Sequence, residues 1–274
     1  MRCKILLGLF ILVLLSNNSL VAQDSLQYQW ERFSVSLGGF LTTMNSDISL
    51  MGQQSGLGIN VNLEDALGLS TSTTVVRGEV DYNFGSRGRS HLRMGYFGLI
   101  RHSDKTLEAE LEIGNSVFPI GTEISSKFDM HIIRALYDYA VFKDERISLD
   151  LSVGLYVLPV SFSISTGNLI NESDSFIAPL PVVGIRNSFF ITPKILLKQN
   201  IDVLYVKTTS FQGSITDLNV WLEYHPFKHW GVGLGYNAFR FNYSAYLSSK
   251  NKMEFEGTLK TGFTGLLFYG KYYF

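Results

Sequence analysis

The segment Val76-Arg77-Gly78-Glu79-Val80-Asp81-Tyr82-Asn83-Phe84 alternates between small or apolar residues and polar or charged residues. Successive side chains of an extended strand point to opposite faces, so a period of two predicts a β-strand. One face of this strand is continuously apolar and the other carries charge. This pattern is typical of a strand in a closed transmembrane barrel, where the apolar face contacts lipid and the charged face lines the lumen.

The same alternation recurs along most of the chain. It predicts ten strands, at about 33–43, 73–84, 91–102, 128–142, 147–163, 176–190, 195–207, 214–225, 230–246 and 258–274. Hairpins that extend above a membrane resemble spanning strands, so the pattern is compatible with a range of about 8 to 12 strands. The predicted fold is all-β: a closed, antiparallel, up-and-down transmembrane β-barrel of about ten strands, an even number as in bacterial single-chain barrels.

The predicted connections alternate in length. Short turns with glycine, proline or charged residues follow the even-numbered strands. Mostly longer loops follow the odd-numbered strands, at about 44–72, 103–127, 164–175, 208–213 and 247–257. Barrels of the bacterial outer membrane have short periplasmic turns and longer external loops, so both chain ends are expected in the periplasm. Aromatic residues near the short turns fit a membrane interface.

The N-terminus predicts a cleaved signal peptide at residues 1–23. A basic start is followed by an apolar run from Ile5 to Leu15 and by small residues before Ala22-Gln23. This run is shorter than the 20 or so apolar residues that a spanning helix needs, and no second basic flank follows it, so a membrane anchor is the less favoured alternative. The mature domain is then residues 24–274, and Cys3, the one cysteine, is removed.

The composition excludes several classes of protein. The net charge is −1, so nothing indicates a nucleic-acid partner. Aromatic residues make up 14% of the chain and charged residues only 17%, which fits an apolar surface exposed to lipid. No stretch after residue 23 approaches 18 consecutive apolar residues, so the mature chain crosses a membrane as a barrel if it crosses one at all.

The C-terminus carries a resemblance. The chain ends with Phe268, Gly270, Tyr272 and Phe274 at every second position. This ending is similar to the signal that the barrel-assembly machinery reads, and the mature chain resembles the broad superfamily of outer-membrane β-barrel proteins, which includes small porin-like and adhesin-like members. The resemblance implies residence in a bacterial outer membrane among lipid and lipopolysaccharide, with the assembly machinery as a partner during biogenesis.

Alternation also predicts which charged residues line the lumen. Eight cations face seven carboxylates: Arg77, Arg93, Arg101, Arg134, Arg186, Lys198, Arg240 and Lys271 against Glu79, Asp81, Asp138, Asp150, Asp202, Asp217 and Glu223. A buried charge without a partner is costly, so this nearly balanced set favours a salt-bridged plug. The alternative is a narrow polar conduit. An ion-selective pore would favour one sign of charge.

Histidines are the natural candidates for catalysis. Of the five, His91, His225 and His229 lie near short turns, whereas His102 and His131 lie near the longer loops, close in sequence to Ser103, Asp104 and Asp129. A histidine beside a serine or an aspartate can activate a nucleophile or water. None of the local motifs of barrel lipid A deacylases, phospholipases or rim proteases is present, so we expect no catalytic residue, metal or cofactor.

Two loops carry further signals. Glu108, Glu110 and Glu112 alternate with apolar residues before Gly114, which predicts a hairpin that extends the barrel wall. Its acidic face is interpreted as a solvated edge, with a divalent cation site as the alternative. In the first loop, Asn62 followed by Asp65 and then Gly68 predicts one turn of helix over the mouth of the barrel.

Two polar residues interrupt the lipid-facing pattern. Asn187 and Gln199 fall on the apolar sides of neighbouring strands, and the short turn at 192–194 would place them opposite one another. A cross-strand amide pair would partly satisfy both side chains. The alternative is a contact with another protein within the membrane, because polar groups in hydrocarbon are costly.

These observations leave three functions open. The expected one is a non-enzymatic structural or surface-interaction protein with a largely plugged lumen. The second is a narrow porin-like channel for small polar solutes, and the third is a rim enzyme acting on outer-membrane lipid or peptide. The sequence identifies neither a ligand nor an oligomeric state.

Overall fold

The computed structural model describes residues 32–51, 58–85, 88–108, 110–113, 116–166, 170–209, 211–245 and 257–274. The predicted signal peptide at 1–23 lies outside the described residues. Ten long strands form the wall: β1 (Phe33–Met51), β3 (Ser72–Phe84), β4 (Ser90–Thr106), β7 (Glu123–Lys143), β8 (Ile147–Thr166), β9 (Ile170–Thr192), β10 (Ile195–Lys207), β11 (Phe211–Tyr224), β12 (Trp230–Ala245) and β13 (Gly257–Tyr273).

The wall closes on itself. Each wall strand pairs antiparallel with the next along the chain, and β13 also pairs with β1, from Ser34 opposite Tyr273 to Leu50 opposite Gly257. A closed sheet leaves no unpaired edge, which is what a strand-built membrane protein requires. The chain is therefore a closed, ten-stranded, antiparallel, up-and-down β-barrel, as the sequence predicts.

The two ends of the barrel differ. At one end, called the turn end here, lie residues 85, 88–89, 144–146, 193–194 and 225–229, together with the start of β1 and the end of β13. Tight geometry suits these connections: Gly85 and Gly88 have positive φ values of 79° and 57°. In the next turn, the Asp144 carboxylate accepts hydrogen bonds from two backbone N–H groups, each at 2.7 Å.

The opposite end, called the loop end, carries the remaining elements. Helix α1 (Leu63–Leu67) follows the short strand β2 (Gly58–Asn62), which pairs with the loop-end part of β1. Strands β5 (Leu111–Ile113) and β6 (Ser116–Phe118) form a separate two-stranded sheet. No helix among the described residues is long and apolar enough to cross a membrane.

Several wall strands are longer at the loop end than predicted. β1 continues to Met51 instead of 43, β7 begins at Glu123 instead of 128, and β9 begins at Ile170 instead of 176. The predicted loop at 164–175 is thus mostly strand. These extensions carry polar residues such as Ser125, Ser126 and Ser165, which weaken the alternation with an apolar face.

The outer face of the wall is apolar and ends in aromatic residues at the turn end. Tyr82, Phe84, Tyr139 and Tyr224 are each more than a third exposed there, as in the interfacial belt of a membrane barrel. Phe190, an aromatic residue at the same end, is 2% exposed and points inward.

Candidate functional site

The interior of the barrel contains two layers of different chemistry. The charged layer lies toward the turn end and is built from inward-facing residues of eight strands. It holds six cations and seven carboxylates: Arg77, Arg93, Arg134, Arg186, Lys198 and Lys271 with Glu79, Asp81, Asp138, Asp150, Asp202, Asp217 and Glu223. All of them are buried except Glu79, whose side chain is 16% exposed.

Most of these charges form ion pairs, between neighbouring strands or across the lumen. Arg93 of β4 binds Asp138 of the neighbouring β7 through two hydrogen bonds of 3.1 and 3.2 Å, a bidentate arrangement. Arg186 contacts both Asp138 at 3.3 Å and Asp81 at 3.4 Å. Arg134 joins Glu79 to Asp217. Because Arg186 and Arg134 link strands that are not neighbours in the wall, their pairs fill the centre of the barrel and brace its wall.

Two further carboxylates are held by mixed donors. The Glu223 carboxylate, near the turn end, accepts hydrogen bonds from Lys198 at 2.9 Å and from the Tyr269 hydroxyl at 2.8 Å, with Lys271 at 3.5 Å. Asp202, deeper in the barrel, accepts from the hydroxyl of Tyr156 at 3.0 Å and from Asn200 at 2.9 Å. Amide and hydroxyl donors thus add to the hydrogen bonds that the cations make.

Little space remains within the charged layer. A cavity of about 20 Å³ lies among Arg77, Arg93, Lys198 and Glu223, which is room for about one water molecule. Arg77 packs over the rings of Phe97 and Trp221, with its guanidinium carbon 5.2 and 5.8 Å from their centroids. The largest aromatic rings therefore close the space between the charges.

The apolar layer occupies the lumen toward the loop end. Its centre is a cluster of Phe40, Phe97, Phe239 and Phe263, whose ring centroids lie 4.8–6.0 Å apart. Inward-facing Leu, Ile, Val and Met side chains of β4, β7, β8 and β9 complete it. Because the inward side chains of this half are apolar and closely packed, the lumen here is a hydrophobic core.

Helix α1 covers the apolar layer at the loop end. Asn62 caps the helix by accepting a hydrogen bond from the Asp65 N–H at 2.9 Å, and Gly68 ends it in the left-handed conformation, as predicted. Leu63 and Leu67 are fully buried against the layer. In this position the helix buries its apolar face.

A buried ion pair attaches the helix to the wall. Arg101 donates to the Glu64 carboxylate at 2.5 Å and to the Ser46 hydroxyl at 2.8 Å. Glu64 also accepts from the backbone N–H of Ser46 at 2.8 Å. The guanidinium of Arg101 lies 4.9 Å from the centroid of Phe128. Arg101 therefore belongs to this cap and not to the charged layer.

Comparison with solved structures identifies the architecture. The chain superimposes on the outer membrane protease OmpT from Escherichia coli with a TM-score of 0.55 and 9% identity, covering 92% of this chain and 100% of that one. The transport unit of the autotransporter AIDA-I from Escherichia coli matches with a TM-score of 0.40 and 8% identity over 97% and 98% of the two chains. Ail of Yersinia pestis matches with a TM-score of 0.34 and 10% identity over 88% and 99%.

Only the first of these likenesses is close enough to carry an argument, and at 9% identity it concerns the fold alone. The fold is that of an outer-membrane β-barrel. No protein-family model matches the sequence. No curated protein is significantly similar to it. The residues of this outer-membrane barrel therefore have to be interpreted from their own geometry.

One residue of the predicted lumen set is misplaced by the sequence interpretation. Arg240 is exposed on the outer face of β12, between the inward-facing Phe239 and Phe241, so its assignment to the lumen was wrong. The alternation of inward and outward side chains along β12 explains the outward position of Arg240. Trp230, Val232, Leu234 and Tyr236 face outward, and Arg240 shares their face.

The two loop-end histidines lie on the outer face of the barrel. His131 Nδ1 lies 3.0 Å from the Tyr96 hydroxyl, and the two rings stack. His102 is exposed and sits opposite Lys127 in the register. Among the described residues, neither histidine has a recorded hydrogen bond or ion pair with Ser103, Asp104 or Asp129; Asp129 instead pairs with Lys127 at 2.9 Å. This arrangement gives no activated nucleophile.

The predicted acidic hairpin is present but is smaller than expected. β5 and β6 form their own sheet instead of extending the wall, whose β4–β7 pairing ends at Thr106 opposite Glu123. Leu107 and Phe118 from this region are buried and pack with the apolar layer, which explains why the hairpin bends inward. No group of His, Cys, Asp or Glu that could hold a metal ion occurs in the described part of the chain.

Asn187 and Gln199 are register partners on β9 and β10, as the turn length predicts. Asn187 is on the outer side yet only 6% exposed, since Leu149 of β8 and Gln199 flank it. A hydrogen bond between the two amides is not among those recorded for the described residues. A protein contact at this place stays a prediction.

The C-terminal residues Phe268, Gly270, Tyr272 and Phe274 share the outer face of β13. The Phe274 ring lies 5.1 Å from Phe33 and 4.7 Å from Tyr272, so it packs across the seam between the first and last strands. Recognition of this ending by the assembly machinery stays a prediction.

Sequence reasoning missed the apolar layer, although a signal for it exists. From Leu155 to Val160 the chain reads Leu-Tyr-Val-Leu-Pro-Val, and alternation disappears. Tyr156, Leu158 and Val160 are buried inside while Leu155 is 41% exposed outside. A strand that is apolar on both faces borders two apolar environments, here lipid and the packed lumen.

Proposed function

We propose that this protein is a non-conducting, non-enzymatic outer-membrane barrel that acts as a structural or surface-interaction protein. The observation that carries the proposal is that three successive parts of the structure close the lumen. The charged layer is followed by the apolar layer, and helix α1 covers the second. A water-filled pathway would have to break all three.

The proposed orientation follows the general asymmetry of outer-membrane barrels. The turn end, with both chain ends, faces the periplasm and the loop end faces the exterior. The external surface then consists of α1, the β5–β6 hairpin and the extended ends of β7, β8 and β9. Loops carried by a rigid scaffold are the usual sites of interaction, and this scaffold is packed throughout its interior.

The narrow channel is the weaker alternative. Small barrels of eight strands are filled by side chains, whereas open aqueous channels occur at about sixteen. Ten strands with four phenylalanine rings packed together in the lumen are on the closed side of that range. The placement of His102 and His131 on the outer face likewise gives no support to a rim enzyme.

Conductance in planar lipid bilayers tests the proposal. The purified, folded barrel is expected to produce no unitary current steps above background, because neither ions nor water can pass the apolar layer. An open porin in the same membranes serves as the control for insertion and sensitivity. Discrete steps that scale with the amount of inserted barrel would refute the closed lumen and favour the channel.

A further inference from the structure

The outer face of β1, β13 and β12 changes from apolar to polar along the strands. Because the three strands are in register, their outward residues form rows around the wall. The last apolar row is Leu41, Leu266 and Tyr236, each about half exposed. The rows beyond it toward the loop end contain Thr43, Thr264, Asn45, Gly262, Arg240, Asp47, Lys260 and Asn242.

This polar region lies at the edge of the apolar band. On β12 the outward apolar residues run from Trp230 to Ala238, about 26 Å along the strand at 3.3 Å per residue. At a strand tilt of about 40° this stretch spans about 20 Å across the membrane, which is most of the ~25 Å apolar band of outer-membrane barrels. Arg240 is the next outward residue, so its guanidinium is placed where hydrocarbon gives way to lipid headgroups.

Two cations in this region lack an ionic partner within the part of the chain that the structure describes. Arg240 and Lys260 are exposed, and neither forms an ion pair with any described residue. Asp47 lies opposite Lys260 in the register, but its carboxylate accepts a hydrogen bond from the Asn62 side chain at 3.0 Å. Lys127, an outward cation elsewhere at the loop end, differs because it pairs with Asp129 at 2.9 Å.

A depression lies between these cations. Gly262 is the register partner of both Asn45 and Arg240, and its missing side chain leaves a gap in the outer surface. The gap is part of a depression of about 400 Å³ whose lining includes Arg240, Lys260, Asn242, Asn45 and the Asp47 carboxylate. A Cβ at position 262 would lie 3.1 Å from the Phe239 carbonyl oxygen, so glycine suits this close packing.

We propose that this depression binds a phosphate group on the headgroup of an outer-leaflet glycolipid. Arg240 and Lys260 would contact the phosphate, and the neighbouring asparagines and threonines would bind sugar hydroxyls. Arginine and lysine are the main phosphate-binding side chains, and charge-assisted hydrogen bonds to phosphate are strong where water is scarce. The long stems of both residues would rest on the last apolar row. The inference rests on the proposed orientation, which puts the loop end in the outer leaflet.

Binding of a bisphosphorylated lipid A to the full barrel tests this proposal. The lipid is presented in bicelles, and binding is measured for the wild type and for the Arg240→Gln/Lys260→Gln variant. Loss of two charged contacts is expected to weaken binding about tenfold or more. Both residues are exposed, so the variant should fold, and its different migration before and after boiling checks this.

The Lys127→Gln variant is the matched control. It also removes an outward cation at the loop end, but one that already has a carboxylate partner, so binding should not change. A lipid A without phosphates should bind the wild type and the double variant equally weakly. Equal binding of the bisphosphorylated lipid to the wild type and the double variant would overturn the proposal.

Competition with inorganic phosphate distinguishes a site for the whole lipid from a site for free phosphate. Inorganic phosphate should fail to displace the lipid at concentrations far above those at which the lipid saturates the site. Displacement at low concentration would show a site for free phosphate and would contradict a lipid site. A wrong orientation would appear separately, as a loop end that is inaccessible on intact cells, while lipid binding by the purified barrel would be unaffected.

Discussion

At the scale of single residues, the interior depends on charges that are buried only because each has a partner. Asp138 is fully buried and contacts both Arg93 and Arg186. Taking an ion out of water costs several kcal/mol, and removal of one partner leaves that cost uncompensated. Removal of one charge of a pair should therefore destabilise the barrel strongly, whereas removal of both charges together should cost less.

A double-mutant cycle at Arg93 and Asp138 should show this behaviour. We expect Asp138→Leu to lower the free energy of unfolding by about 3–5 kcal/mol, because it leaves the Arg93 guanidinium buried without its bidentate partner. Addition of Arg93→Met should recover part of the loss, as both charges are then absent. Urea unfolding of the barrel in lipid vesicles measures the four stabilities.

The pair Lys127–Asp129 on the outer face provides the control. The Lys127 side chain is 57% exposed and the Asp129 side chain 13%, so a substitution at Lys127 should alter stability by about 1 kcal/mol or less. If Asp138→Leu were equally mild, or if the second substitution at Arg93 made the loss larger, the pairs of the charged layer would not be braces of the wall.

At the scale of elements, helix α1 is a separate unit attached to a finished barrel. It belongs to no wall strand, and its connections to the wall are the buried faces of Leu63 and Leu67, the Glu64–Arg101 pair and a hydrogen bond from Lys105 to the Asp65 carbonyl. A five-residue helix has no stability of its own. Its position is set by these contacts alone.

Weakening the attachment should free the helix without unfolding the wall. Ala66 packs partly buried beside the apolar layer, so a thiol in an Ala66→Cys variant should react slowly with a maleimide. Addition of Glu64→Ala leaves Arg101 unpaired and should raise the reaction rate about tenfold. The exposed Asp65→Asn is the matched control and should leave the rate unchanged. An unchanged rate in Glu64→Ala would show that packing of the two leucines alone holds the helix.

The elements also show what the sequence can predict. Strands with charge on one face, such as 76–84, predict the barrel and the inward face of each strand, because a shift by one residue would place Arg77 and Glu79 in lipid. The strand number was predicted only within a range of about 8 to 12, since hairpins above the membrane resemble spanning strands. Asn62 and Gly68 fix the helix ends through local hydrogen bonding. The strand extensions and the apolar layer were missed, since neither leaves a period of two, and Arg240 was misassigned because its charge was given more weight than its parity.

At the scale of the whole molecule, the barrel is asymmetric from one end to the other. The charged layer lies near the short turns and the apolar layer near the loops, while the outer face keeps one apolar band between an aromatic belt and the polar region around Arg240. Membrane barrels with this asymmetry have one orientation, and the proposed function assigns the loop end to the exterior.

Surface labelling of intact cells tests that orientation. Ile120, between β6 and β7, is 68% exposed at the loop end. In a Cys3→Ser background, an Ile120→Cys variant should react with a maleimide that cannot cross the outer membrane. Glu145→Cys, exposed in the turn between β7 and β8, should react only after the membrane is permeabilised. The reverse result would place the loop end in the periplasm.

The sequence of the apolar layer has a consequence for the unfolded chain before it reaches the membrane. No charged residue occurs between Asp150 and Glu172, and this stretch includes the part of β8 that is apolar on both sides. Before the sheet forms, such a segment has a high strand propensity and lacks charges that would repel the same segment of other molecules. This composition is that of an aggregation-prone sequence. Pro159 is the one residue within it that resists pairing. An unfolded chain crossing water would need a holding chaperone there more than anywhere else.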